Sequence, residues 1–264
     1  MADIAHGTVD VLLPIRSPAP WLEATLAGLI RQSLPSWRLV AVCHGDSPAV
    51  EQNIRRLVPN ALLLTAPEEG GLPDLLNLGL ASCTASFVAR IDSDDIPCLD
   101  RFERQVEFLS SHPDVALVAS PVMLIDESGA ALGRLSGPST SAELIRGLRW
   151  KCVIQHPSVM FRRSAIVELG GYDPLARHVE DYELWLRLAA VAGVETLAEP
   201  LTEYRVHPGQ VTRTKVIGKP ARALVGQARV ALARSRGESV GMARLRQFVW
   251  ASRQVLREMG SRTH

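Results

Sequence analysis

Three aspartates lie within four positions of one another, directly after an apolar run. The run 86–91 is rich in residues that favour β-strands, and Asp92, Asp94 and Asp95 follow it. Carboxylates crowded at the end of a buried strand repel one another unless a cation offsets their charge. Because oxygen ligands favour hard divalent ions, the pattern predicts a Mg²⁺ or Mn²⁺ site with positions open for phosphate oxygens. Capping of a helix that opens at Pro97 would explain one of these acids but not all three.

A second acid cluster begins another helical pattern. Glu180 and Asp181 precede Leu184, Trp185 and Leu188, which fall on one apolar face. Acids in the first turn are favoured by the helix dipole, and that alone explains them as well as a catalytic role does. In the catalytic alternative, one of the two is a general base that takes a proton from an incoming hydroxyl.

Two histidines each adjoin a β-like run. His156 precedes the run 157–162, and His207 follows the segment 204–206. An isolated histidine more often makes structural hydrogen bonds than it binds a ligand, so the residues alone leave both without an assigned role.

The composition is that of an ordinary globular protein. Of the 264 residues 47% are hydrophobic and 22% are charged, and the formal net charge is +1. This charge gives no general attraction to nucleic acid, so no such partner is predicted. The four cysteines form no C-x-x-C pair, which predicts neither a zinc site nor a disulfide framework and fits a cytoplasmic protein. The first eight residues lack the pattern of a secretory signal, and no uncharged apolar run reaches the roughly 20 residues of a membrane-spanning helix.

The first hundred residues alternate between short β-rich runs and helical patterns. Apolar strands separated by helices predict an α/β fold with a parallel sheet that is covered on both faces. Ligands of such sheets bind beyond the carboxyl ends of the strands, so Pro14 and the loops 43–47 and 92–95 should converge on one crevice. The predicted strands are 9–13, 37–43, 61–65, 87–91, 115–119, 122–125, 157–162, 195–197 and 202–206. The predicted helices are 19–32, 47–57, 73–81, 141–148 and 180–192, besides the one that opens at Pro97.

The residues after 215 form a basic amphipathic pattern. Helical periodicity brings five apolar side chains to one face of this tail. We expect that face to pack on the rest of the chain, with the arginines in solvent. The alternative is a helix that lies on an anionic membrane surface. The apolar residues are Leu245, Phe248, Val249, Leu256 and Met259, and the arginines are Arg222, Arg229, Arg234, Arg236, Arg244, Arg246, Arg253 and Arg257.

Several segments in their joint order resemble family-2 glycosyltransferases of the GT-A fold, over roughly residues 8–212. The segment 89–96 resembles the family's D-x-D-D block, and three later segments are similar to a branch of bacterial cell-surface polysaccharide transferases. The matching segments are 11–15, 71–72, 76–79, 89–96, 156–162, 170–172, 180–187 and 204–207.

The resemblance implies a GT-A catalytic domain over residues 1–215, with a Rossmann-like and mostly parallel central sheet, and a basic helical extension over 216–264. It implies an inverting glycosyltransferase of the hexosyltransferase type that uses Mg²⁺ or Mn²⁺. The enzyme would move a sugar from a nucleoside-diphosphate donor, with a UDP-sugar as the first choice, to a hydroxyl of a glycan or lipid-linked acceptor. The resemblance further implies that the enzyme takes part in the synthesis of cell-surface polysaccharide, at the inner face of the membrane.

The resemblance also assigns roles to single residues. It implies that Asp94 binds the metal, that His207 contacts the metal or the diphosphate, and that Asp181 is the catalytic base. Glu180 and His156 would lie on the acceptor side. The donor would be bound by Pro14, Ile15, Asp92, Ser93 and Asp94.

One departure from the family pattern lies at residues 42–46, where the family has V-D-D-G-S. This chain has Cys43 and His44 in place of the two acids, so the acid that typically helps to recognise the base is missing. Because of this departure, a catalytically inactive GT-A domain that serves as a scaffold is an alternative interpretation. A nucleotidyltransferase is a further alternative, but it would need a glycine-rich basic loop near the start, where the residues 13–20 offer only Arg16.

Overall fold

The chain folds as an alternation of strands and helices, followed by two long C-terminal helices. The computed structural model describes residues 9–16, 19–135, 137–138, 140–210 and 216–261, with the side chains of 257–261 left out. The strands are β1 (Val9–Ile15), β2 (Trp37–His44), β3 (Leu62–Ala66), β4 (Phe87–Arg90), β5 (Ile96–Pro97), β6 (Val115–Ala119), β7 (Val122–Ile125), β8 (Ala131–Leu135), β9 (Met160–Arg162), β10 (Gly193–Thr196) and β11 (Thr202–Arg205). The helices are α1 (Leu22–Ile30), α2 (Pro48–Leu57), α3 (Leu72–Ser82), α4 (Arg101–Ser111), α5 (Ser141–Leu148), α6 (Arg163–Glu168), α7 (Glu180–Ala189), α8 (Lys219–Ser235) and α9 (Val240–Ser261), and His156–Ser158 is a 3-10 turn.

A seven-stranded sheet lies at the centre, in the order β10-β6-β9-β4-β1-β2-β3. β1 pairs in parallel with β2 and β4, and β9 runs antiparallel to its neighbours β4 and β6. The register places Ile15 beside Cys43, so β1 and β2 end together. Because the parallel strands end at one edge, the loops after β1, β2 and β4 open on one crevice. The predicted mostly parallel sheet is confirmed.

Apolar clusters cover both faces of this sheet. Every residue of β1 is buried, as expected for a strand that packs on both sides. Leu12 belongs to the cluster formed with α3, α5, α7 and α8, and Val11 and Leu13 belong to the cluster formed with α1 and α4. Gly79 allows α3 to lie directly on β1, because a Cβ at this position would collide with Leu12. The predicted cover of helices on both faces is therefore confirmed.

A second, four-stranded sheet in the order β5-β11-β7-β8 lies beside the crevice. It holds the end of β11 next to the loop after β4 through the antiparallel pair of β11 and β5. The prediction that Pro97 opens a helix is wrong, because Pro97 lies in β5 and α4 begins at Arg101. β5 is an edge strand. An edge strand tolerates proline, because the N–H that proline lacks is not needed for a bond between strands.

Other predicted elements shift at their ends. The predicted strand 157–162 is reduced to β9, because the 3-10 turn His156–Ser158 precedes it. The predicted helices 19–32 and 180–192 correspond to α1 and α7, which are both shorter than predicted. Besides β5, the strand β8 and the helix α6 were not predicted from the sequence.

The helix α8 contributes to the main apolar core. Val225 and Leu232 are 0% and 1% exposed within the cluster that also contains Trp185 of α7, and Trp250 of α9 joins the same cluster. The domain boundary predicted after residue 215 adjoins residues 211–215, which lie outside the described residues.

The apolar face predicted for the C-terminal tail points away from the core. Leu245, Phe248 and Leu256 of α9 are 54%, 70% and 67% exposed, and Val249 is half-buried, so the expectation that this face packs on the rest of the chain is wrong. The expectation that the arginines lie in solvent is wrong for Arg229, which is 3% exposed. The side chains of Arg257 and Met259, which belong to the same prediction, lie outside the described residues. Across the described residues, no helix combines the length and the apolar content needed to cross a membrane.

Candidate active site

The three aspartates that follow β4 converge on one point. Oxygen atoms of Asp92, Asp94 and Asp95 all lie within 4.8 Å of one another. Asp95 is buried at 1% exposure, whereas Asp92, Ser93 and Asp94 are partly exposed. The crowding of carboxylates that the sequence predicts at the end of a buried strand is therefore present.

Asp92 is held by a buried arginine. Arg90, the last residue of β4, is 1% exposed, and its guanidinium donates to both carboxylate oxygens of Asp92. Burial raises the pKa of Asp92 above its usual range against the opposing charge of Arg90, and the charge of Asp94 raises it further. Arg90 was not among the predicted site residues. Its signal in the sequence is a charged residue inside an apolar strand, which is rarely buried unless it is paired.

Asp95 connects this loop to the second sheet. Its Oδ1 accepts a hydrogen bond from the backbone N–H of Arg205 at 2.8 Å, and Arg205 Nε donates to the carbonyl of Asp94 at 2.9 Å. The other oxygen, Oδ2, is buried and has no hydrogen-bond partner among the described residues. Burial raises the pKa of Asp95 well above its usual range, and the charges of Asp92 and Asp94 add to this rise. A cation or a proton would satisfy such an oxygen.

His207 lies against Asp94. Its Nε2 is 2.9 Å from Asp94 Oδ2, and its ring packs on the ring of Trp21 with the centroids 4.5 Å apart. Trp21 is itself held by a hydrogen bond from its Nε1 to the carbonyl of Glu127, at 3.0 Å. Asp94 and His207 are the two residues that the resemblance assigns to the metal. They are 113 positions apart in the sequence but adjacent in the structure. Trp21 was not predicted.

The donor set around Asp94 fits a hard divalent cation. Asp94 and Asp95 offer carboxylate oxygens, one of them without a partner in the described part of the chain, and His207 offers an imidazole nitrogen. Carboxylate oxygens suit Mg²⁺ and Mn²⁺, and imidazole is a ligand of transition metals such as Mn²⁺. Both oxygens of Asp92 are engaged by Arg90, which makes Asp92 the weaker direct ligand.

The ends of β1 and β2 form the other side of the crevice. Pro14 and Ile15 end β1 beside Cys43, and burial raises the pKa of the Cys43 thiol to about 11. His44 Nε2 lies 2.9 Å from the carbonyl oxygen of Gly70, so it joins the end of β2 to the turn before α3. The two residues that replace the family's acids are therefore used in packing and in a local hydrogen bond.

Asp181 lies at the start of α7, next to a backbone turn. His178, just before the helix, has a positive φ of 70°. Asp181 Oδ2 accepts the S–H of Cys152 at 3.6 Å. Burial raises the pKa of Asp181. Its negative charge contributes in turn to the raised pKa of Asp92, after burial and the charge of Asp94.

Glu180 is the more buried acid of this pair. It is 7% exposed, and its Oε2 has no hydrogen-bond partner within the described ranges. Burial, followed by the negative charge of Asp181, raises the pKa of Glu180 from 4.5 to about 7. Asp181 is the partly exposed member, and it is therefore the one that an incoming group can reach.

His156 belongs to a buried aromatic cluster in the wall of the crevice. Its Nε2 lies 3.0 Å from the hydroxyl of Tyr172, and its ring packs edge-on against Trp185. Burial, with the charge of Arg90, holds the pKa of His156 well below its usual range, so the imidazole is neutral. Asn77 fixes this cluster, because it donates to the backbone carbonyl of Tyr172 at 2.7 Å and accepts its N–H at 2.9 Å.

Comparison with known proteins gives the family. The model of glycosyl transferase family 2 matches residues 10–170. The amylovoran biosynthesis glycosyltransferase AmsE of Erwinia amylovora is 32% identical over 200 residues, which cover 74% of each chain. The Escherichia coli UDP-Gal:alpha-D-GlcNAc-diphosphoundecaprenol beta-1,3-galactosyltransferase is 31% identical over 192 residues, 71% of this chain and 69% of that protein. The chain therefore belongs to glycosyl transferase family 2.

The fold has a match among solved structures. The crystal structure of TarS 1–349 of S. aureus in complex with UDP-GlcNAc superimposes with a TM-score of 0.71 at 14% identity, over 92% of this chain and 71% of that one. The central sheet, its helices and the crevice are thus those of a GT-A glycosyltransferase, as the sequence resemblance predicts.

Proposed function

We propose that the protein is an inverting, divalent-metal-dependent glycosyltransferase that moves a sugar from a nucleoside-diphosphate donor to a hydroxyl of a glycan or lipid-linked acceptor. The observation that carries this proposal is the crowding of three carboxylates after β4, with His207 against one of them. Asp92, Asp94 and Asp95 follow β4, and Asp181 begins α7. The first cluster serves the leaving group and the second serves the nucleophile.

Asp94 and His207 are the residues that would hold Mg²⁺ or Mn²⁺, with Asp95 as their buried neighbour. When bound there, such an ion supplies Lewis-acid neutralisation of the charge that grows on the leaving diphosphate. Arg90 fixes Asp92 at the mouth of the same loop, where this carboxylate can meet the ribose of the donor or the water shell of the ion.

Asp181 removes the proton from the acceptor hydroxyl. Its raised pKa brings its proton affinity closer to the working pH, which favours general-base catalysis. The thiol of Cys152 donates to one of its oxygens and so orients the carboxylate. Attack by the activated hydroxyl in a single displacement inverts the configuration at the anomeric carbon.

The relatives suggest which donor and acceptor to test first. The superimposed structure holds UDP-GlcNAc, and the Escherichia coli relative is named for a UDP-Gal donor and a diphosphoundecaprenol-linked sugar. The other relative is named for amylovoran biosynthesis. These names support a UDP-sugar donor, a lipid-linked glycan acceptor and a role in the synthesis of a cell-surface polysaccharide.

Donor binding is the first test. UDP, dTDP, GDP and CDP are titrated calorimetrically into the protein with Mn²⁺ and with EDTA. We expect one nucleotide to bind only in the presence of metal, and Asp94→Ala to lose at least tenfold in affinity. Asp114→Asn, at an exposed position, is the matched control. Equal affinity in Asp94→Ala and in the unmodified protein would remove Asp94 from the site.

The catalytic base is tested by transfer. Asp181→Asn should bind the nucleotide as tightly as the unmodified protein does and should lower the transfer rate by about 10²- to 10⁴-fold. The rate is measured as nucleoside diphosphate released with GlcNAc-diphosphoundecaprenol and related acceptors, and NMR of the product reports the anomeric configuration. Full transfer by Asp181→Asn would overturn the assignment. Release of pyrophosphate would instead identify a nucleotidyltransferase.

A further inference from the structure

One face of α9 leaves large apolar side chains in water. Met242, Leu245, Phe248, Val255 and Leu256 are 44%, 54%, 70%, 39% and 67% exposed. At about 100° per residue they fall within a sector of roughly 140°, and they extend over about 20 Å of the helix. Single exposed apolar residues are common on protein surfaces, but a contiguous patch of this kind marks an interaction site. These five residues are called the α9 stripe below.

The opposite face of α9 is the one that packs on the protein. Ala243 and Trp250 are 3% and 8% exposed. The ring of Trp250 lies 6.0 Å from the ring of Tyr182, and the guanidinium of Arg229 lies 4.9 Å from the ring of Trp250. Arg229 also donates to Gln247 at 2.5 Å. Since these contacts fix the rotation of α9 about its axis, the exposure of the stripe is a built feature of the fold.

Arginines border the α9 stripe on both sides. Helical periodicity places Arg244 along one border and Arg246 and Arg253 along the other. The guanidinium of Arg246 lies 5.3 Å over the ring of Trp150, which is 47% exposed. The residues 239–256 contain no acid. Arg246 is already paired with Glu238, whose Oε2 lies 3.8 Å from its Nη1. Two copies that met through this face would bring arginine against arginine, whereas an anionic surface would complement the exposed Arg244 and Arg253.

We propose that α9 lies flat on a bilayer that contains anionic lipids. The α9 stripe enters the boundary between headgroups and acyl chains, and the exposed Arg244 and Arg253 meet the lipid phosphates. An exposed indole such as that of Trp150 suits the same interface. A helix that combines an apolar face with arginine borders binds in this plane without crossing the membrane.

The packed face of α9 adjoins the proposed catalytic base. Trp250 contacts Tyr182, which follows Asp181 in the sequence. Arg229 donates to the hydroxyl of Tyr182 and to the carbonyl of Trp150, each within 3 Å. Tyr182 therefore joins α9 to the first turn of α7, where Asp181 lies, so a bilayer held by α9 would hold this end of the crevice near lipid-linked acceptors. This last consequence rests on the proposed function, but the lipid docking itself does not.

Vesicle co-sedimentation of the full chain tests the proposal. The vesicles contain phosphatidylcholine alone, or phosphatidylcholine with about one third phosphatidylglycerol. We expect binding to the anionic vesicles and a loss of at least tenfold in partitioning for the double variant Phe248→Ser/Leu256→Ser. Arg244→Gln and Arg253→Gln should each weaken binding about fivefold. The control is Leu132→Ser/Leu175→Ser, which changes two leucines that are 57% and 64% exposed elsewhere.

The outcomes of these measurements test the lipid docking and the proposed function separately. Absence of binding to anionic vesicles, or equal binding by Phe248→Ser/Leu256→Ser, would overturn the lipid docking. A dimer in analytical ultracentrifugation that the same double variant dissociates, without vesicle binding, would make a second copy the occupant. Nucleotide titration with Mn²⁺ on the same samples separates the two proposals. Nucleotide binding without vesicle binding defeats only the docking, and vesicle binding without nucleotide binding defeats only the proposed function.

Discussion

We expect Glu180→Gln to stabilise the protein at neutral and alkaline pH but not in acid. Glu180 is 7% exposed, and its Oε2 lacks a hydrogen-bond partner in the part of the chain that the structure describes. The neighbouring charge of Asp181 also opposes its ionisation, after burial. Glutamine has nearly the same shape and never ionises, so the substitution removes the cost of the charge and keeps the packing.

The magnitude follows from the raised pKa. A rise from 4.5 to about 7 for Glu180 corresponds to roughly 3 kcal/mol of unfolding free energy. The carboxyl is harder to ionise in the native state than in the unfolded state. Below pH 4.5 it is protonated in both states and costs no stability. As the pH rises from 4.5 to about 7, ionisation of the unfolded state lowers the stability of the native protein. The variant should therefore match the unmodified protein near pH 4, exceed it by about 1 kcal/mol at pH 5, and exceed it by about 3 kcal/mol at pH 8.

Urea unfolding in EDTA, followed by circular dichroism from pH 5 to pH 8, measures this difference. Glu107→Gln, at an exposed position of α4, is the control and should show no pH-dependent change. A gap between Glu180→Gln and the unmodified protein that is the same at pH 5 and pH 8 would refute the reasoning. So would a loss of stability in the variant at pH 8, since that would mean that the backbone hydrogen bonds to the ionised Glu180 outweigh the cost of its burial.

Three further expectations follow from the site and its supports. Asn77→Ala should lower the unfolding free energy by about 2 kcal/mol in urea, because the backbone of Tyr172 loses both of its hydrogen-bond partners. Gly79→Ala should cost about 1–3 kcal/mol in the same assay, because the added methyl collides with Leu12. The transfer rate of the unmodified protein should rise with pH through the raised pKa of Asp181, because only the ionised base accepts a proton.

These expectations have their own controls. Asn60→Ala, at an exposed position, should change the unfolding free energy by less than about 0.5 kcal/mol. Gly218→Ala should do the same, since its added Cβ would meet the nearest side chain at an ordinary distance of 3.6 Å. A transfer rate that falls with pH over the same range would indicate a general acid at the acceptor and would argue against Asp181 as the base.

Much of the fold could be predicted because its signals are local. Apolar runs of strand length alternate with helical patterns in the first hundred residues, and the parallel order of β1, β2 and β4 follows from that alternation. The acid cluster at Asp92 could be found for the same reason, since all its members follow one strand. Pro97 could not be placed, because β5 becomes a strand only through its pairing with β11, about a hundred residues later.

The supports of the site depend on contacts that the sequence does not display. The bonds from Asn77 to Tyr172 join residues 95 positions apart, which no local pattern connects. Arg90 lies only two positions from Asp92, and its sequence signal was a charge inside an apolar strand. In α9 the periodicity correctly grouped Leu245, Phe248 and Leu256 on one face but could not show which face is buried. Polar and aromatic contacts of Gln247 and Trp250 with Arg229 hold the other face on the protein, and the apolar face is left outside.

The charges of the crevice bear on how it would bind the diphosphate of the proposed donor. The guanidinium of Arg90 is committed to Asp92, and that of Arg205 donates to the backbone carbonyls of Asp94, Asp126 and Glu127. Neither of these two arginines is therefore available to phosphate. The acids on both sides of the crevice suit a sugar that gains positive charge as its bond to the leaving group breaks, but they repel the leaving diphosphate itself. A divalent cation at Asp94, as the proposed function requires, would resolve this conflict, because it would turn the acid cluster into a site that attracts phosphate oxygens.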